Sequence, residues 1–390
     1  MKQGWEYKKL GEVCTIERGG SPRPITDYIT DSEDGINWIK IGDAQEVSKY
    51  ITSTKEKIRP EGIKKSRFVH KGDFILSNSM SFGRPYILKV DGCIHDGWLV
   101  IHDDNEVFIK DYLYYILSSS IMYAKFSQLA VGGVVNNLNS SLVRKVAIPI
   151  PPKSTQLSIV SELDKINELI RLKKEQLKDY DNLAQSIFYE MFGDPVENEK
   201  GWEVKKLGEV CTIERGSSPR PITAYITDSK DGINWIKIGD AQEGSKYITS
   251  TKEKIKPEGL KKSRFVHKGD FILSNSMSFG KPYILKIDGC IHDGWLVIHD
   301  NNNVFIKIYL YYLLASSIMY AKFSKLAVGG VVNNLNSSLV RKVDVSIPPL
   351  PLQHLFAQRI EQIEHQKSEV TKAITDLETL LASRMQHWFE

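Results

Sequence analysis

Short apolar runs separated by turn residues occupy most of the chain. Four of them read INWIKIGD (36–43), GDFILSNS (72–79), PYILKVDG (85–92) and GWLVIHDD (97–104). Each combines apolar or alternating positions with flanking Gly, Pro, Asn or Asp, which is the pattern of a β-strand that ends in a turn. One longer apolar stretch, residues 109–130, has helical spacing instead. These patterns predict a mainly β region with one or two helices.

The whole region occurs twice. Residues 5–152 align with residues 202–349 without a gap, and about 130 of the 148 positions are identical. The stretch VGGVVNNLNSSLVRKV stands unchanged at 131–146 and at 328–343. A unit of this length is a whole domain, since solenoid repeats have about 20–50 residues. The sequence therefore predicts two similar α+β domains and two spacers, with boundaries at 1–152, 153–201, 202–349 and 350–390.

Both spacers have the heptad pattern of long helices. About four heptads each favour a coiled coil over a lone surface helix. Prolines precede each helix, and FGDP at 192–195 predicts the end of the first. Lys173 and Lys367 interrupt the two apolar seams at different places, which can fix their register. The principal seam positions are Leu163, Ile166, Ile170, Leu177 and Ile187 in the first helix, and Ile363, Val370, Ile374, Leu377 and Leu381 in the second.

The net charge of +4 is concentrated in the repeats. The first repeat holds 19 Lys and Arg against 18 Asp and Glu, the second holds 21 against 14, and both spacers are acidic. Basic runs KKSRFVHK stand at 64–71 and 261–268. This distribution is a weak indication of a polyanionic partner, and a solvated charged surface explains it equally well.

The chain has the features of a cytoplasmic protein. Its start has no apolar signal segment, and no apolar run approaches the roughly 20 residues of a membrane span. The four cysteines form no CxxC pair, so we expect free thiols in a reducing compartment. They are Cys14, Cys93, Cys211 and Cys290.

The sequence indicates no catalytic, metal or cofactor site. It has neither a GxxxxGK[ST] phosphate loop nor a GxGxxG motif after a strand. Cys93 and His95 are two residues apart, but no second ligand pair follows, as a zinc site would require. Asp43 and Asp73 each follow a glycine between predicted strands, where a turn is the commoner role.

Two polar loops in each repeat contain possible nucleic-acid ligands. In the first repeat they are LSNSMSFGRP (76–85) and GGVVNNLNSS (132–141). Asn and Arg side chains bond base edges, and Ser hydroxyls bond phosphates. The same residues also bond their own backbone in turns, and Asn139 or Ser140 can cap the helix that follows. Both interpretations remain open at this stage.

The order of segments resembles the specificity (S) subunit of type I restriction–modification enzymes over essentially all 390 residues. The resemblance is carried by KLGEVCTIERGGSPRP and INWIKIGD early in each domain, and by KGDFILSNSMSFGRPYIL in the middle. At the exit it is carried by SSLVRKVAIPIPPKSTQLSIV. In that family each domain is a target recognition domain. This chain departs from the usual pattern because its two recognition domains are near-duplicates.

The resemblance implies an adaptor with no catalytic centre. Its fold would be α+β, with two mainly β target recognition domains separated and braced by two long antiparallel coiled-coil helices around a pseudo-twofold axis. Each domain would read half of a bipartite site in double-stranded DNA. The helices would dock two methylation (M) subunits, and restriction (R) subunits would join through the complex. S-adenosylmethionine, ATP and magnesium would belong to these partners.

Two near-identical recognition domains imply a DNA site that is an inverted repeat. The residues that contact bases are then expected at positions that are identical in both copies. Arg84 aligns with Lys281, and because Arg and Lys are not interchangeable at a bidentate base contact, this pair is expected at phosphate. The candidate base readers are Arg23, Lys40, Asn78, Ser79, Asn136, Asn137 and Asn139, with Arg220, Lys237, Asn275, Ser276, Asn333, Asn334 and Asn336.

Two other functions remain as alternatives. A stand-alone nuclease would cleave DNA with a metal ion in the absence of any other subunit. A structural tether with duplicated protein-binding domains would show no salt-sensitive binding to DNA.

Overall fold

The computed structural model describes residues 2, 4–45, 48–78, 83–130, 138–242, 244–275, 280–327 and 335–390. The chain divides into two compact units. One is Met1–Lys174 with Lys372–Glu390, and the other is Glu175–Thr371. Each unit therefore contains one sequence repeat together with parts of both spacers.

The first repeat is mainly β, as its sequence predicts. Its helices are α1 (Leu10–Val13), α2 (Lys110–Ser118), α3 (Ser120–Ala130) and α4 (Ser140–Val143), with short 3-10 turns at Ile25–Asp27, Ile41–Asp43 and Pro60–Lys65. Its strands are β1 (Glu6–Lys9), β2 (Thr15–Arg18), β3 (Ile29–Thr30), β4 (Ile36–Ile39), β5 (Tyr50–Ile51), β6 (Glu56–Ile58), β7 (Arg67–Val69), β8 (Phe74–Ser77), β9 (Pro85–Leu88), β10 (Gly92–Ile94), β11 (Trp98–His102) and β12 (Ala147–Ile150).

The second repeat has the same elements in the same order. Its helices are α6 (Leu207–Val210), α7 (Lys307–Ala315), α8 (Ser317–Ala327) and α9 (Ser337–Arg341), with 3-10 turns at Ile222–Ala224, Ile238–Asp240 and Pro257–Lys262. Its strands are β13 (Glu203–Lys206), β14 (Thr212–Arg215), β15 (Ile226–Thr227), β16 (Ile233–Ile236), β17 (Tyr247–Ile248), β18 (Glu253–Ile255), β19 (Arg264–Val266), β20 (Phe271–Ser274), β21 (Pro282–Leu285), β22 (Gly289–Ile291), β23 (Trp295–His299) and β24 (Asp344–Ile347).

Among its described residues, each repeat contains two five-stranded sheets and a two-stranded ribbon. In the first repeat the sheet orders are β3-β6-β4-β10-β7 and β2-β11-β8-β9-β5, and β1 pairs with β12. Strand β8 is buried on both faces: Ile75 packs into the cluster that includes residues of the other sheet, while Phe74 and Leu76 pack into the cluster that includes helix residues. This double burial explains why its sequence, FILS, is a continuous run rather than an alternating one.

The apolar stretch 109–130 forms two helices, α2 and α3, which are separated at Ser119. The Ser119 hydroxyl accepts a hydrogen bond from the Met122 N–H at 3.2 Å and donates to the Ile116 carbonyl at 2.7 Å. A serine in this position caps the second helix, so the chain restarts a helix in a new direction.

Each repeat leads into one long helix, as predicted. Helix α5 spans Lys153–Phe192, and helix α10 spans Leu350–Phe389. Helix α5 ends at the predicted place because Gly193 adopts a left-handed φ of 74°, and its N–H donates to the Tyr189 carbonyl at 2.8 Å.

Helices α5 and α10 pack antiparallel. In the first unit, Glu162 pairs with Arg384, and Lys174 lies 2.9 Å from Glu378 further along. In the second unit, Asp181 pairs with Lys367 at 2.6 Å. Residue numbers rise along α5 as they fall along α10, which defines the antiparallel direction within each unit. All ten principal seam residues are buried or half-buried.

A buried glutamine attaches each long helix to its repeat. Gln156 is 1% exposed. Its Oε1 accepts from the Ile109 N–H at 2.7 Å, and its Nε2 donates to the carbonyls of Val107 and Pro151 at 3.1 and 3.0 Å. Gln353 makes the matching bonds in the second repeat, with the Ile306 N–H and the Val304 and Pro348 carbonyls.

All four cysteines are buried free thiols, as expected. Burial, with a smaller contribution from the charge of Asp103, raises the pKa of Cys14 to about 12. The thiolate is therefore disfavoured at neutral pH, which makes this thiol unreactive. Within the described ranges, none of the helices has both the length and the apolar character needed to cross a membrane.

Replacing Ile170 by aspartate is expected to destabilise the first unit by about 3 kcal/mol or more. The side chain is 7% exposed, so the change removes a packed sec-butyl group and buries a carboxylate without a partner. Urea unfolding followed by circular dichroism measures the loss. The neighbouring Leu169 is 47% exposed, so Leu169→Asp is the control, with an expected change within about 0.5 kcal/mol. An equal loss of unfolding free energy in Ile170→Asp and Leu169→Asp would contradict the assignment of Ile170 to the buried seam.

Candidate nucleic-acid interface

A cleft of about 810 Å³ lies in the first repeat, and it brings together two of the predicted base readers. Arg23 and Lys40 both line it, although 17 positions separate them in the sequence. Its walls also include apolar side chains and two acids. We call it the Arg23–Lys40 cleft, and its lining is Ser21, Pro22, Arg23, Pro24, Ile25, Ile29, Trp38, Lys40, Glu56, His95 and Asp96.

Strand pairing explains how Lys40 meets Glu56. Strands β4 and β6 are antiparallel, with Trp38 opposite Glu56, and Lys40 follows β4 directly. The Lys40 ammonium and the Glu56 carboxylate form a close ion pair, with both side chains about one-third exposed. Lys237 and Glu253 form the same pair in the second repeat.

Arg23 is held only loosely. Its Nη2 lies 3.3 Å from Asp96 Oδ2, and its side chain is 82% exposed. The matching distance from Arg220 to Asp293 is 3.5 Å, with 83% exposure. Exposed pairs of this kind contribute little to stability, so both arginines are available to a ligand.

Asp96 connects several segments at one edge of the cleft. Its Oδ1 accepts from the Ser21 hydroxyl at 2.8 Å, and its backbone carbonyl accepts from Arg18 Nε at 3.0 Å. Burial alone would raise the pKa of Asp96, but the hydrogen bond from the Ser21 hydroxyl and the charge of Arg18 lower it on balance. The carboxylate therefore stays charged and keeps the loop that carries Arg23 beside the cleft.

His95 lines the cleft as a neutral ring. The Gly97 N–H approaches its Nδ1 at 2.6 Å, and the Ile41 N–H approaches Nε2 at 3.2 Å. A neutral imidazole accepts one of these two bonds through its unprotonated nitrogen, whereas a protonated imidazole accepts neither. Burial is the main cause that lowers the pKa of His95, and Asp96 opposes the shift. A Cβ on residue 97 would lie 2.1 Å from the ring, so this approach requires glycine.

Lowering the pH below about 6.5 is expected to destabilise the fold through His95 and its counterpart His292. Burial also lowers the pKa of His292, so the unfolded chain takes up protons that the folded chain resists. Stability is therefore complete above the ordinary value of 6.5 and is lost as the pH falls below it. The loss is at most about 1.4 kcal/mol per pH unit for each ring.

Urea unfolding at pH 7.5, 6.5 and 5.5 measures this slope. The double variant His95→Gln/His292→Gln should have a flatter profile, whatever its stability at pH 7.5. An identical slope in the wild type and the double variant would contradict the assignment.

Asn78 and Asn275 lie inside the protein. Both side chains are 1% exposed. The side-chain Nδ2 of Asn78 donates to the Asp96 backbone carbonyl at 2.9 Å, and the backbone carbonyl of Asn78 accepts from the Leu138 N–H at 2.9 Å. Base contact would require these side chains to turn outward, and base reading by these two residues stays a prediction.

Asn139 and Asn336 are helix caps. Asn139 Oδ1 accepts from the Leu142 N–H at 3.0 Å and from the Ser141 hydroxyl at 2.7 Å. Asn336 makes the corresponding bonds to start α9. The capping role foreseen for this position is confirmed, and readout by the same amides stays a prediction.

The remaining predicted DNA contacts are either exposed or lie outside the residues that the structure describes. Arg84 and Lys281 are exposed at matching positions, where the backbone N–H of each donates to a serine hydroxyl of the preceding strand. Lys64 and Lys71 in the first basic run are also exposed. The predicted readers outside the described residues are Ser79, Asn136, Asn137, Ser276, Asn333 and Asn334.

Sequence reasoning missed the acids of the cleft. Glu56 begins strand β6 and Asp96 lies in the loop after β10, so only the β4–β6 register and the path of that loop bring these acids to the cations. The lysine at 40 and the glutamate at 56 repeat unchanged at 237 and 253, which was the available signal. Across the part of the chain that the structure describes, no group of three or more His, Cys, Asp or Glu side chains could hold a metal ion.

The sequence matches a family described as "Type I restriction modification DNA specificity domain" over residues 2–179 and again over residues 199–379. The chain belongs to this family. The specificity subunit is the non-catalytic component of the type I restriction–modification complex, and this chain carries two of its domains.

Curated specificity subunits are similar over most of the chain. The putative type I restriction enzyme MjaX specificity subunit of Methanocaldococcus jannaschii is 24% identical over 418 aligned positions, covering 98% of this chain and 93% of that protein. The MjaIX specificity subunit of the same organism is 26% identical over 263 residues. That alignment covers 63% of this chain and 60% of the length of the relative.

Solved structures share the fold of this specificity subunit. A chain from a study of complex assembly and conformational transition of the type I restriction–modification system has a TM-score of 0.68 at 20% identity. The match covers 99% of this chain and 97% of that one. The S subunit of a type I system from M. genitalium gives a TM-score of 0.50 at 13% identity, covering 100% and 98%.

Proposed function

We propose that this specificity subunit reads a bipartite DNA site as an inverted repeat, one half-site for each sequence repeat. The observation that carries the proposal is the near-identity of the two repeats, about 130 of 148 positions, together with a repeated cleft chemistry. Two equal readers meet the same bases on opposite strands when the half-sites are inverted, as operator symmetry mirrors the symmetry of a dimer. The proposal implies a cytoplasmic location, because DNA is the target.

The proposed DNA contacts are the exposed or half-exposed cations. Arg23 and Lys40 line the cleft, so they are placed among the base readers, with Arg220 and Lys237 in the second repeat. Arg84 and Lys281 differ in side-chain geometry at one matched position, which supports a role at phosphate. Asn78 and Asn275 are left out because their side chains are buried.

We also propose that the long helices dock two M subunits, and that R subunits join through the complex. Exposed leucines on the helices support a docking role, since α5 presents Leu169, Leu172 and Leu183 at nearly half exposure. Leu355 and Leu380 are similarly exposed on α10. S-adenosylmethionine, ATP and magnesium would be held by these partners. The mass of the reconstituted complex should correspond to two M subunits per chain, and a complex saturated by one would contradict the proposal.

Mapping of methylated adenines tests the reading of DNA. DNA is taken from cells that carry this chain and its cognate M subunit, with cells carrying the M subunit alone as the control. The expected result is one motif with two inverted half-sites and a non-specific spacer. Two unrelated half-sites would mean that identical domains do not have identical readout. Cleavage of DNA by the purified chain with a metal ion would instead favour the nuclease.

Arg23→Ala is expected to relax one half-site and leave the other unchanged. Loss of a true base contact costs about 1–3 kcal/mol of binding free energy at one position. Arg220→Ala should produce the mirror-image effect. Arg84→Ala should weaken binding to all sequences alike and reduce the salt slope by about 1. Binding of labelled duplexes at several salt concentrations separates these outcomes, and relaxation of both half-sites by Arg23→Ala would contradict the assignment.

A further inference from the structure

The Lys40–Glu56 pair lies in the wall of the Arg23–Lys40 cleft, and the backbone beside both residues is held in place. Asp43 bonds the backbone of Lys40 and of the residue before Glu56: its Oδ2 accepts from the Lys40 N–H at 2.8 Å, and its Oδ1 accepts from the Lys55 N–H at 3.1 Å. Asp240 makes the same two bonds around Lys237 and Glu253, at the same distances. A geometry fixed in this way in both repeats is pre-organised for a ligand.

The pair keeps unused hydrogen-bonding capacity on its solvent side. Glu56 Oε1 accepts from Lys40, and no other described residue donates to the Glu56 carboxylate. The Lys40 ammonium donates only this one of its three N–H bonds to a described residue. Both side chains line the cleft and remain about one-third exposed. The pair therefore presents a donor and an acceptor side by side.

This arrangement disfavours phosphate. A phosphate that approached Lys40 would meet the negative charge of Glu56 beside it, whereas the exposed Lys64 and Lys71 of the basic run have no such acid paired with them among the described residues. The edge of a base pair is different because it carries no net charge and offers donors and acceptors together.

A C·G base pair complements the ion pair atom for atom. In the major groove cytosine presents its N4 amino group as a donor, and guanine presents O6 and N7 as acceptors. Cytosine N4 and guanine O6 are themselves hydrogen-bonded partners, so they lie as close together as the Lys40 ammonium and the Glu56 carboxylate. Glutamate accepts from cytosine N4, and lysine donates to guanine O6 or N7.

We propose that Lys40 and Glu56 together read one C·G base pair in one half-site, and that Lys237 and Glu253 read the same pair in the other. The inference rests on the proposed function and adds Glu56 and Glu253 as specificity-determining residues. Glutamate accepts a hydrogen bond from the cytosine amino group, and its ion pair with lysine sets the distance between the cytosine contact and the guanine contact. Each half-site then contains at least one C·G pair within reach of this cleft.

The first experiment uses Glu56→Gln in the reconstituted complex with mapping of methylated adenines. A glutamine side chain favours adenine N6 and N7, so the expected result is methylation of sites in which A·T replaces C·G at one position of one half-site. Glu253→Gln should change the other half-site. Discrimination at that position should fall by about 5- to 150-fold.

Glu33→Gln is the matched control. It removes one exposed acid from the same repeat outside the cleft, at a position where the second repeat has Lys230. This control should leave the motif unchanged.

A second experiment keeps the protein unchanged. The wild-type complex is tested on duplexes in which each cytosine of the mapped site is replaced in turn by 2-pyrimidinone, which lacks the 4-amino group. One replacement in each half-site should weaken binding by about 5- to 150-fold, whereas similar binding to every duplex would overturn the inference. A mapped motif whose half-sites contain no C·G pair would also overturn the inference. If that motif were still an inverted repeat, the proposed function would stand. Absence of any sequence-specific methylation would count against the proposed function itself.

Discussion

Removing one heptad from each long helix is expected to abolish modification of the native site and to create modification at a site with a shorter spacer. Suitable segments are residues 165–171 of α5 and 377–383 of α10. The Glu162–Arg384 and Lys174–Glu378 contacts place these segments alongside each other. A heptad keeps the apolar seam in phase and shortens a helix by about 10 Å. We expect a spacer shorter by roughly 3 base pairs, with both half-sites unchanged.

Mapping of methylated adenines with the shortened chain measures the change. Deletion of residues 165–171 alone is the control. It shifts the apolar seam of α5 by one heptad relative to that of α10, so the two helices should not pack stably. A shortened chain that still modifies the native spacer would show that the helices do not determine the spacing.

Phe188→Ala is expected to destabilise the second unit by about 3–5 kcal/mol. Phe188 is 1% exposed and lies within an aromatic cluster that joins three helices. Its ring centroid is 5.3 Å from that of Phe192, 5.7 Å from Phe356 and 5.8 Å from Tyr309. Truncation removes these contacts and leaves a cavity that the surrounding rings cannot fill.

Urea unfolding followed by circular dichroism measures the effect of Phe188→Ala. Leu183→Ala is the control on the same helix, since Leu183 is 46% exposed and a change within about 0.5 kcal/mol is expected. A loss below about 1 kcal/mol for Phe188→Ala would show that the cluster does not hold helix and repeat together.

Much of the fold follows from local patterns in the sequence. The heptad seam predicts α5 and α10, and the glycine at 193 predicts the end of α5, because a left-handed residue ends a helix whatever its surroundings. The buried strands are also visible as apolar runs between turns. The break at Ser119 is harder to foresee, because serine is tolerated within a helix and its role as a cap depends on where the chain turns.

The candidate site depends on distant residues, and the sequence predicts less of it. Arg23 and Lys40 are recognisable as possible contacts, but their partners Asp96 and Glu56 are supplied by strand register and by a loop 73 residues away from Arg23. The burial of Asn78 is not visible in the sequence, because an exposed polar loop residue and a residue that ties two loops together have the same local sequence. Nothing along the chain distinguishes them before the β8–β11 pairing is known.

Gln156 and Gln353 have a mechanical consequence. The prolines that precede each long helix resemble a flexible joint, at which a domain could swivel. Two hydrogen bonds of each buried amide instead fasten the first turn of the helix to the loop before α2 or α7, and a third fixes it to a proline carbonyl just before the helix. A rotation of either long helix would therefore rotate the attached repeat with it, because these bonds leave the junction between them little freedom to bend.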